Sequence, residues 1–382
     1  SDRGLARRVA TELCRWNIKI DDSAGIPLAQ TPPGSFLRLT ARMFSDDLAP
    51  ASLLAALKHP LAAGGMETQT FRGLVRDLEI FILRGPRPAP GIDGLLAAIK
   101  TDCTLKREKN QKISARLRTF LKHLQKIFGP FSQVMNGSLQ TLAEVVNQHV
   151  HLTEALASTK DNNGADRIWT GDAGEIAALF ISEIINFGDL IEITAGYDYP
   201  AMLHSLMAGR VVRPRFGRHP RLNIWGLLEA RLQQADVMIL SGLNETVWPP
   251  EAKASPWMSY SMMVEFGLPT PERRIGLAAH DFTQAFCSPQ IVLTRSLRVD
   301  GTPTVPSRWL LRLENLLKQQ GLEISSAEEM PWLQWVNNID APKKILDPKL
   351  AEPSPRPPVT ARPRKLPVTS IETWLRDPYA IY

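Results

Sequence analysis

Apolar residues recur every three or four positions through most of this chain, and short unbroken apolar runs interrupt that rhythm only toward its flanks. In GLARRVATELCRWNI the spacing of Leu5, Val9, Leu13 and Trp16 predicts a helix. Ile18-Lys19-Ile20 predicts a short strand, Asp21 to Gly25 a turn, and TPPGSFLRLTARMF a second helix that starts after Pro33-Gly34. From residue 46 to about 205 the pattern is helical throughout: ASLLAALKH, FRGLVRDLEIFIL, GIDGLLAAIK, ISARLRTFLKHLQKIF, SLQTLAEVVNQHVHLTEALA and GEIAALFISEIINF. Breaks such as RGPRPAPG and TKDNNGAD separate them. Strand character returns at RLNIWGLLEARLQQADVMILSGL, read as strand, helical turn, then strand Val237–Leu240. Helices follow over SPWMSYSMMVEFG and PERRIGLAAHDFTQAF, a strand over QIVLTRS and an amphipathic helix over PSRWLLRLENLLKQ.

The order is α/β, then helical, then α/β. Each outer segment is too small to be a domain alone, so the expected arrangement closes both around one parallel sheet with the helices as an insertion. The expected boundaries are 1–45, 46–221 and 222–325, then a linker over 326–367. Eight prolines lie between Ala341 and Pro367, with Lys and Arg among them, which predicts a semi-extended connection. VTSIETWLRDPYAIY, in 368–382, then opens a new helix that Thr369 or Ser370 can cap.

Composition narrows the classes. The 382 residues are 44% hydrophobic and 22% charged, as in globular proteins. The net charge of +6 permits a nucleic-acid partner without requiring one. Cys14, Cys103 and Cys287 lie far apart, with no CxxC or Cys/His spacing, so neither a zinc site nor a disulfide framework is indicated. Cys14 and Cys287 are expected in the core or between helices. No run approaches a membrane span and no secretory leader is seen, so the expectation is a cytoplasmic piece of a longer chain. There is no GxxxxGK[ST] loop, no GxSxG elbow and no HExxH helix. His280-Asp281 are helix neighbours that do not face each other, and are expected on a helix surface. Asp21-Asp22 and Asp46-Asp47 fit turns and caps.

Two basic stretches remain. Lys106, Arg107, Lys109, Lys112, Arg116, Arg118, Lys122 and Lys126 face a single acid, Glu108, in their stretch. Positions 112, 116 and 126 fall on one side of a helix whose other side is Ile113, Leu117, Phe120, Leu121 and Leu124. Such a face is either solvated surface or a phosphate contact; Lys106, Arg107, Lys112 and Arg116 are its candidate ligands. RVVRPRFGRHPR holds Arg210, Arg213, Arg215, Arg218 and Arg221 within twelve residues and no acid, beside Phe216. Arginines of this kind suit bidentate phosphate contact and base stacking.

GLLEARLQQADVMILSGLNETVWPP resembles the motif V region of the UvrD/RecB helicase superfamily, in the form found in the AddB family of bacterial AddAB helicase–nuclease subunits. Three further stretches are similar in the same order. DRGLARRVATELCRWNIKIDDSAGIPLAQTPPGSFLRL resembles the opening of that family's second motor-like domain. SPWMSYSMMVEFGLPTPERRIGLAAHDFTQAFCSPQIVLTRSLRVDGTPTVPSRWLLRL resembles its motif VI region, and VTSIETWLRDPYAIY the first helix of its RecB-type nuclease domain. The form is the alphaproteobacterial one. The resemblance implies a RecA-like second motor domain, 2A, interrupted by a helical insertion, 2B. It places Gly226, Leu228, Glu229, Asn244 and Trp248 at motif V, and Arg273, Arg274 and Gln284 at motif VI. It puts the Trp248 loop where motor domains contact DNA or couple to nucleotide.

Departures from an active motor are specific. The Thr-x-His that usually precedes motif V's Lys-Gly-Leu-Glu has no counterpart in NIWGLLEAR. The arginine of motif VI is replaced within Thr283-Gln284-Ala285, and glutamine has no charge to place on a γ-phosphate. Arg273 and Arg274 stand upstream as the remaining candidates. Some AddB relatives hold an iron–sulfur cluster through a cysteine where this chain has Asp377, so no cluster is expected. The resemblance thus implies a motor-inactive, DNA-handling region of an ATP-dependent helicase/exonuclease that processes double-strand breaks for homologous recombination. It implies an AddA-type partner subunit, single- and double-stranded DNA as ligands, and no membrane. ATP and nuclease Mg2+ are expected of the parent complex, and no cofactor, metal or catalytic residue of this region. In that family the motor-like region also reads a recombination hotspot on the single strand. The alternatives are the second motor domain of an active superfamily 1 helicase and a partner scaffold that does not bind DNA.

Overall fold

The computed structural model describes residues 3–101, 110–137, 140–193, 196–213, 215, 219–251, 256–322, 331–342, 358–361, 363–377 and 380. Two units are distinguished, Ser1–Leu311 and Arg312–Tyr382.

The larger unit opens with helix α1 (Arg3–Arg15), which buries none of its residues. Strand β1 is Asp21–Asp22 and β2 is Ile26–Pro27. The strand expected at Ile18–Ile20 therefore falls on the two aspartates. Its position is set by backbone pairing with β6 (Asn223–Ile224), in parallel register Asp21 to Asn223, and not by the apolar run. Asp22 also takes a turn role, accepting from the Ala24 N–H at 3.1 Å.

Helix α2 (Pro32–Ser45) takes in Pro33-Gly34, after which it was expected to start, and so begins three residues earlier, at Pro32. Thr31 caps it through Oγ1, which accepts from the Gly34 N–H at 3.3 Å, and two prolines occupy positions that need no donor. Gly34 is required by crowding: a Cβ there would lie 1.9 Å from the Leu28 carbonyl oxygen. Asp46 ends this helix at its C-cap.

The helical core follows: α3 (Pro50–Leu57), α4 (Thr68–Leu78) running into a π-helical turn (Glu79–Leu83), α5 (Gly91–Thr101), α6 (Gln111–Asn136), α7 (Leu142–Ala157), α8 (Gly164–Ile168), α9 (Gly171–Phe187) and α10 (Tyr199–Met207). Its apolar cluster runs from Leu28 to Val212, with Phe36, Leu37 and Met43 of α2 fully enclosed. By packing, α2 thus lies on the helical side of the sequence boundary drawn at residue 45. Helix α7 begins with a capping box, in which Thr141 Oγ1 accepts from the Glu144 N–H and the Glu144 carboxylate accepts from the Thr141 N–H. Short strands β3 (Gln140–Thr141) and β4 (Glu192–Ile193) pair antiparallel beside it.

At the centre, α2, α7 and α10 meet through polar atoms. Thr40 Oγ1 lies 2.8 Å from the Phe36 carbonyl and 2.8 Å from His149 Nε2, and His149 Nδ1 lies 2.8 Å from the Tyr199 hydroxyl. The threonine's one proton goes to backbone, so His149 Nε2–H donates to Thr40 and Nδ1 accepts from Tyr199. Phe131 stacks on the imidazole with centroids 5.0 Å apart. Burial pushes the His149 pKa down to about 3 and that of Tyr199 up.

The chain leaves the helices through β5 (Val211–Val212), antiparallel to β2. Beyond β6 lie β7 (Val237–Leu240), α11 (Tyr260–Glu265), α12 (Pro271–Phe286), β8 (Gln290–Leu293), the β9–β10 hairpin (Arg298–Val299, Thr302–Pro303) and α13 (Arg308–Gln319). Strand β7 pairs parallel with β8. Instead of one continuous sheet, the described residues form two parallel pairs, β1–β6 and β7–β8.

A second, small core explains the loop after β7. Leu240, Leu243, Trp248, Phe282 and Leu310 cluster there. Trp248 is buried, its ring set edge-on to Phe282 at 6.0 Å, and its Nε1–H donates to the Ser241 carbonyl at 3.2 Å. Asn244 is buried too, accepting from the Thr304 hydroxyl at 3.4 Å. Cys14 and Cys287, expected in packed positions, are both exposed. Cys14 follows Leu13 and so turns off the apolar stripe of α1.

The smaller unit holds the remainder of α13, then α14 (Trp332–Asp340) and α15 (Val368–Arg376). Pro367 occupies the N-cap of α15, so Thr369 and Ser370 lie inside the helix and neither caps it. Of the proline-rich stretch, 343–357 and Arg362 lie outside the described residues. Among the described residues no helix is long and apolar enough to cross a membrane.

Candidate functional site

The structure places the sequence-predicted residues in three separate locations. The first is α6. Leu117, Phe120, Leu121, Leu124, Phe128 and Phe131 are buried, at three- and four-residue spacing. The helix continues through Pro130. Its opposite side carries Lys112, Arg116, Arg118, Lys122 and Lys126, all exposed. Among the described residues none of the five makes an ion pair. At 1.5 Å per residue the row is roughly 21 Å long, the axial span of about six phosphates on one strand of a duplex. Arg118 and Lys122, which sequence reasoning left outside the face, belong to it. Lys106 and Arg107 lie outside the described residues.

The second location is the arginine segment, and here the sequence reading needs correction. The segment contains no acid of its own, but α9 supplies two. Arg210 forks onto Glu183, with NH1 3.1 Å from Oε1, and its guanidinium lies 5.8 Å from the centroid of Phe180. The Glu183 carboxylate raises the Arg210 pKa, and Arg210 lowers that of Glu183. Arg215 pairs with Glu175 at 3.0 Å. Two of the five arginines are therefore engaged in holding the segment against α9. Arg213 and Arg221 are exposed and make no ion pair among the described residues. Arg218 lies outside those residues.

The third location is a cleft of about 520 Å³ between α1, β6, β7 and the end of α12. Leu5, Val9 and Leu13 of α1 line one wall, and Met238 and Ile239 of β7 another. Gly226, Trp248 and Gln284 reach this cleft, together with Arg221, so the structure does bring these motif positions and one candidate arginine together. It does not bring the others. Leu228 and Glu229 are exposed, with the Glu229 carboxylate lying against Gly226. Asn244 is consumed in the small core. Arg273 and Arg274 are exposed on the first turns of α12, and a helical rise of about 15–17 Å separates them from Gln284. They cannot stand in for a charge at that position.

Sequence reasoning missed the cation that does lie beside Gln284. Arg231 lines the cleft, with Nε 2.7 Å from Asp281 Oδ1 and NH2 3.2 Å from Oδ2. Asp281 was expected on a helix surface but is buried. Only its spacing from Phe282 and Gln284 hinted that this side of α12 turns inward. Asp281 holds Arg231 in a fork, so this guanidinium is already engaged, and Gln284 itself has no charge to place on a γ-phosphate. Trp248, buried by Phe282, offers no face for base stacking either. Among the described residues no group of three or more His, Cys, Asp or Glu is placed to hold a metal ion.

No family model matches the chain. It is similar to an uncharacterised protein of Rickettsia conorii, 25% identical over 216 residues, and to one of Rickettsia felis, 23% identical over 223 residues, each match taking in 56% of this chain. The chain spans about a quarter of the length of these curated relatives, 24% and 25% respectively.

Proposed function

We propose that this chain is a DNA-handling region of an AddB-type subunit, cytoplasmic, working with an AddA-type partner on single- and double-stranded DNA ends. In this reading the α/β part is a RecA-like domain that has lost its motor function, and the helices are its 2B-like insertion. The observation that carries the reading is the row of five exposed cations along α6, none in an ion pair among the described residues. Such a row, backed by a buried apolar face, is suited to tracking a phosphate backbone and releasing its counterions. Gln284 beside an already engaged Arg231 supports assigning ATP hydrolysis to the partner, so no nucleotide step is given to this chain. Nuclease chemistry with Mg2+ is left to the parent assembly in the same way.

The test is fluorescence anisotropy with a labelled single-stranded oligonucleotide at several salt concentrations, using the wild type and Lys112→Gln/Arg116→Gln/Lys122→Gln. The expected result is a steep salt dependence whose log–log slope falls by about two in the triple variant. Equal slopes in the two proteins would remove α6 from the interface. A second reading, a partner scaffold, is favoured by the apolar cleft under α1, where Val237 and Ile239 of β7 remain half exposed. Absence of oligonucleotide binding at low salt would select it.

A further inference from the structure

Four cations and one carboxylate that are scattered in sequence line one cavity at the surface of the helical core. Lys58 follows α3, Arg72 and Arg76 stand one turn apart on α4, and Arg84 follows the π-helical turn. Together with Glu79 they line a cavity of about 500 Å³ whose apolar wall is Leu57, Val75 and Ile80. The π turn matters to this arrangement. Residues five apart diverge on an α-helix, but here the Arg84 N–H donates to the Glu79 carbonyl at 3.0 Å and Arg84 NH2 lies 3.1 Å from Glu79 Oε1. Lys58 Nζ takes the other oxygen, Oε2. Lys58, then Arg84, hold the Glu79 carboxyl below its ordinary range, so it is ionised and both its oxygens are used.

Arg72 and Arg76 are left over. Both are exposed, and neither side chain makes an ion pair or hydrogen bond among the described residues. Asp77, the acid of α4 itself, does not line the cavity. Two guanidiniums one turn apart repel each other modestly, and the pocket carries four positive charges against one negative. A planar fork is the side-chain shape best matched to phosphate oxygens.

We propose that this cavity is a phosphate-binding site, with Arg72 and Arg76 as its direct ligands and Glu79 as the tether that positions Lys58 and Arg84 at its rim. The phosphate belongs either to a nucleic-acid strand or to a free phosphate compound. No residue of α6 lines the cavity, although α4 packs on α6 through Phe71 and Phe120, so the two sets of cations are tested by separate variants.

The experiment uses two probes on the 382-residue chain: inorganic pyrophosphate by titration calorimetry, and a labelled single-stranded oligonucleotide by anisotropy. Arg72→Gln/Arg76→Gln changes only exposed side chains, and its fold is checked by circular dichroism. The expected result is a loss of about tenfold or more in affinity for at least one probe. Loss for pyrophosphate assigns a free phosphate ligand, and loss for the oligonucleotide alone assigns a strand backbone. Glu79→Gln releases Lys58 and Arg84 from their tether and should weaken binding several-fold even though it makes the lining more positive, a loss that net charge alone would not produce. The α6 triple variant, run in parallel, should keep the dependence on Arg72 and Arg76. Unchanged affinity for both probes in the arginine variant, or no binding of either by the wild type, overturns the site.

Discussion

Among the groups through which acid should weaken the helical core, His149 is the most deeply enclosed. In the folded chain its imidazole is enclosed between Thr40, Tyr199 and Phe131, and its pKa is pushed down to about 3 from an ordinary 6.5. The unfolded chain therefore binds a proton below about pH 6.5 that the folded chain refuses until about pH 3. Stability from this group is complete above pH 6.5 and is lost as pH falls through that window. One proton is worth 1.36 kcal/mol per pH unit, so between pH 7.5 and pH 5.0 the loss is about 2 kcal/mol. The assay is urea denaturation followed at 222 nm at both pH values, for the wild type and for His149→Gln. Glutamine does not titrate and keeps one donor and one acceptor for Thr40 and Tyr199. Carboxylates contribute equally to both proteins, so the difference of differences isolates His149. Equal pH dependence in the two would refute the reasoning. So would an imidazole resonance of His149 that titrates near 6.5 in the folded protein.

Other perturbations probe the same architecture. Tyr199→Phe keeps the ring but leaves His149 Nδ1 without its donor, and should cost about 1–3 kcal/mol in the same denaturation assay. Gly34→Ala forces a Cβ against the Leu28 carbonyl, a backbone atom that cannot swing aside, and should cost about 1–3 kcal/mol or more despite alanine's better helix propensity. Trp248→Ala should destabilise the small core by about 3–5 kcal/mol, measured by tryptophan-independent thermal melting, while leaving the oligonucleotide salt slope of the folded protein unchanged.

The helices were legible because their apolar residues repeat with the helical period, and that repeat survives even Pro130 within α6. The strands were less legible because most are two residues long, and a two-residue strand is defined by its partner's backbone more than by its own side chains. Ile18 to Ile20 had the composition of a strand, yet Asp21 and Asp22 made the pairing. The cationic side of α6 was legible because the charges and their apolar backing share one helix. Charge was misread at Arg210 and Arg215, because the compensating Glu183 and Glu175 lie 27 and 40 positions away on another helix. The cluster around Glu79 could not be seen in sequence for the same reason, since its members span three consecutive elements and a π turn aligns the last. Asp281 and Trp248 show the converse: residues that look available for chemistry are used up in packing.

The parallel pairing of β1 with β6 has a consequence for biosynthesis. Asp21 and Asn223 are about 200 residues apart, so β1 leaves the ribosome long before its partner exists. At about 5–20 residues per second the wait is roughly 10–40 s. Helices α2 to α10 carry their own enclosed core and can close during that interval, which shortens the effective loop that β1 and β6 must later bridge. The antiparallel contact of β2 with β5 then acts as a clasp at the neck of the helical block, bringing the early strand to its late partner. A nascent chain halted before residue 223 should thus hold folded helices and a β1 still without β6, a state open to chaperones that the finished fold does not present.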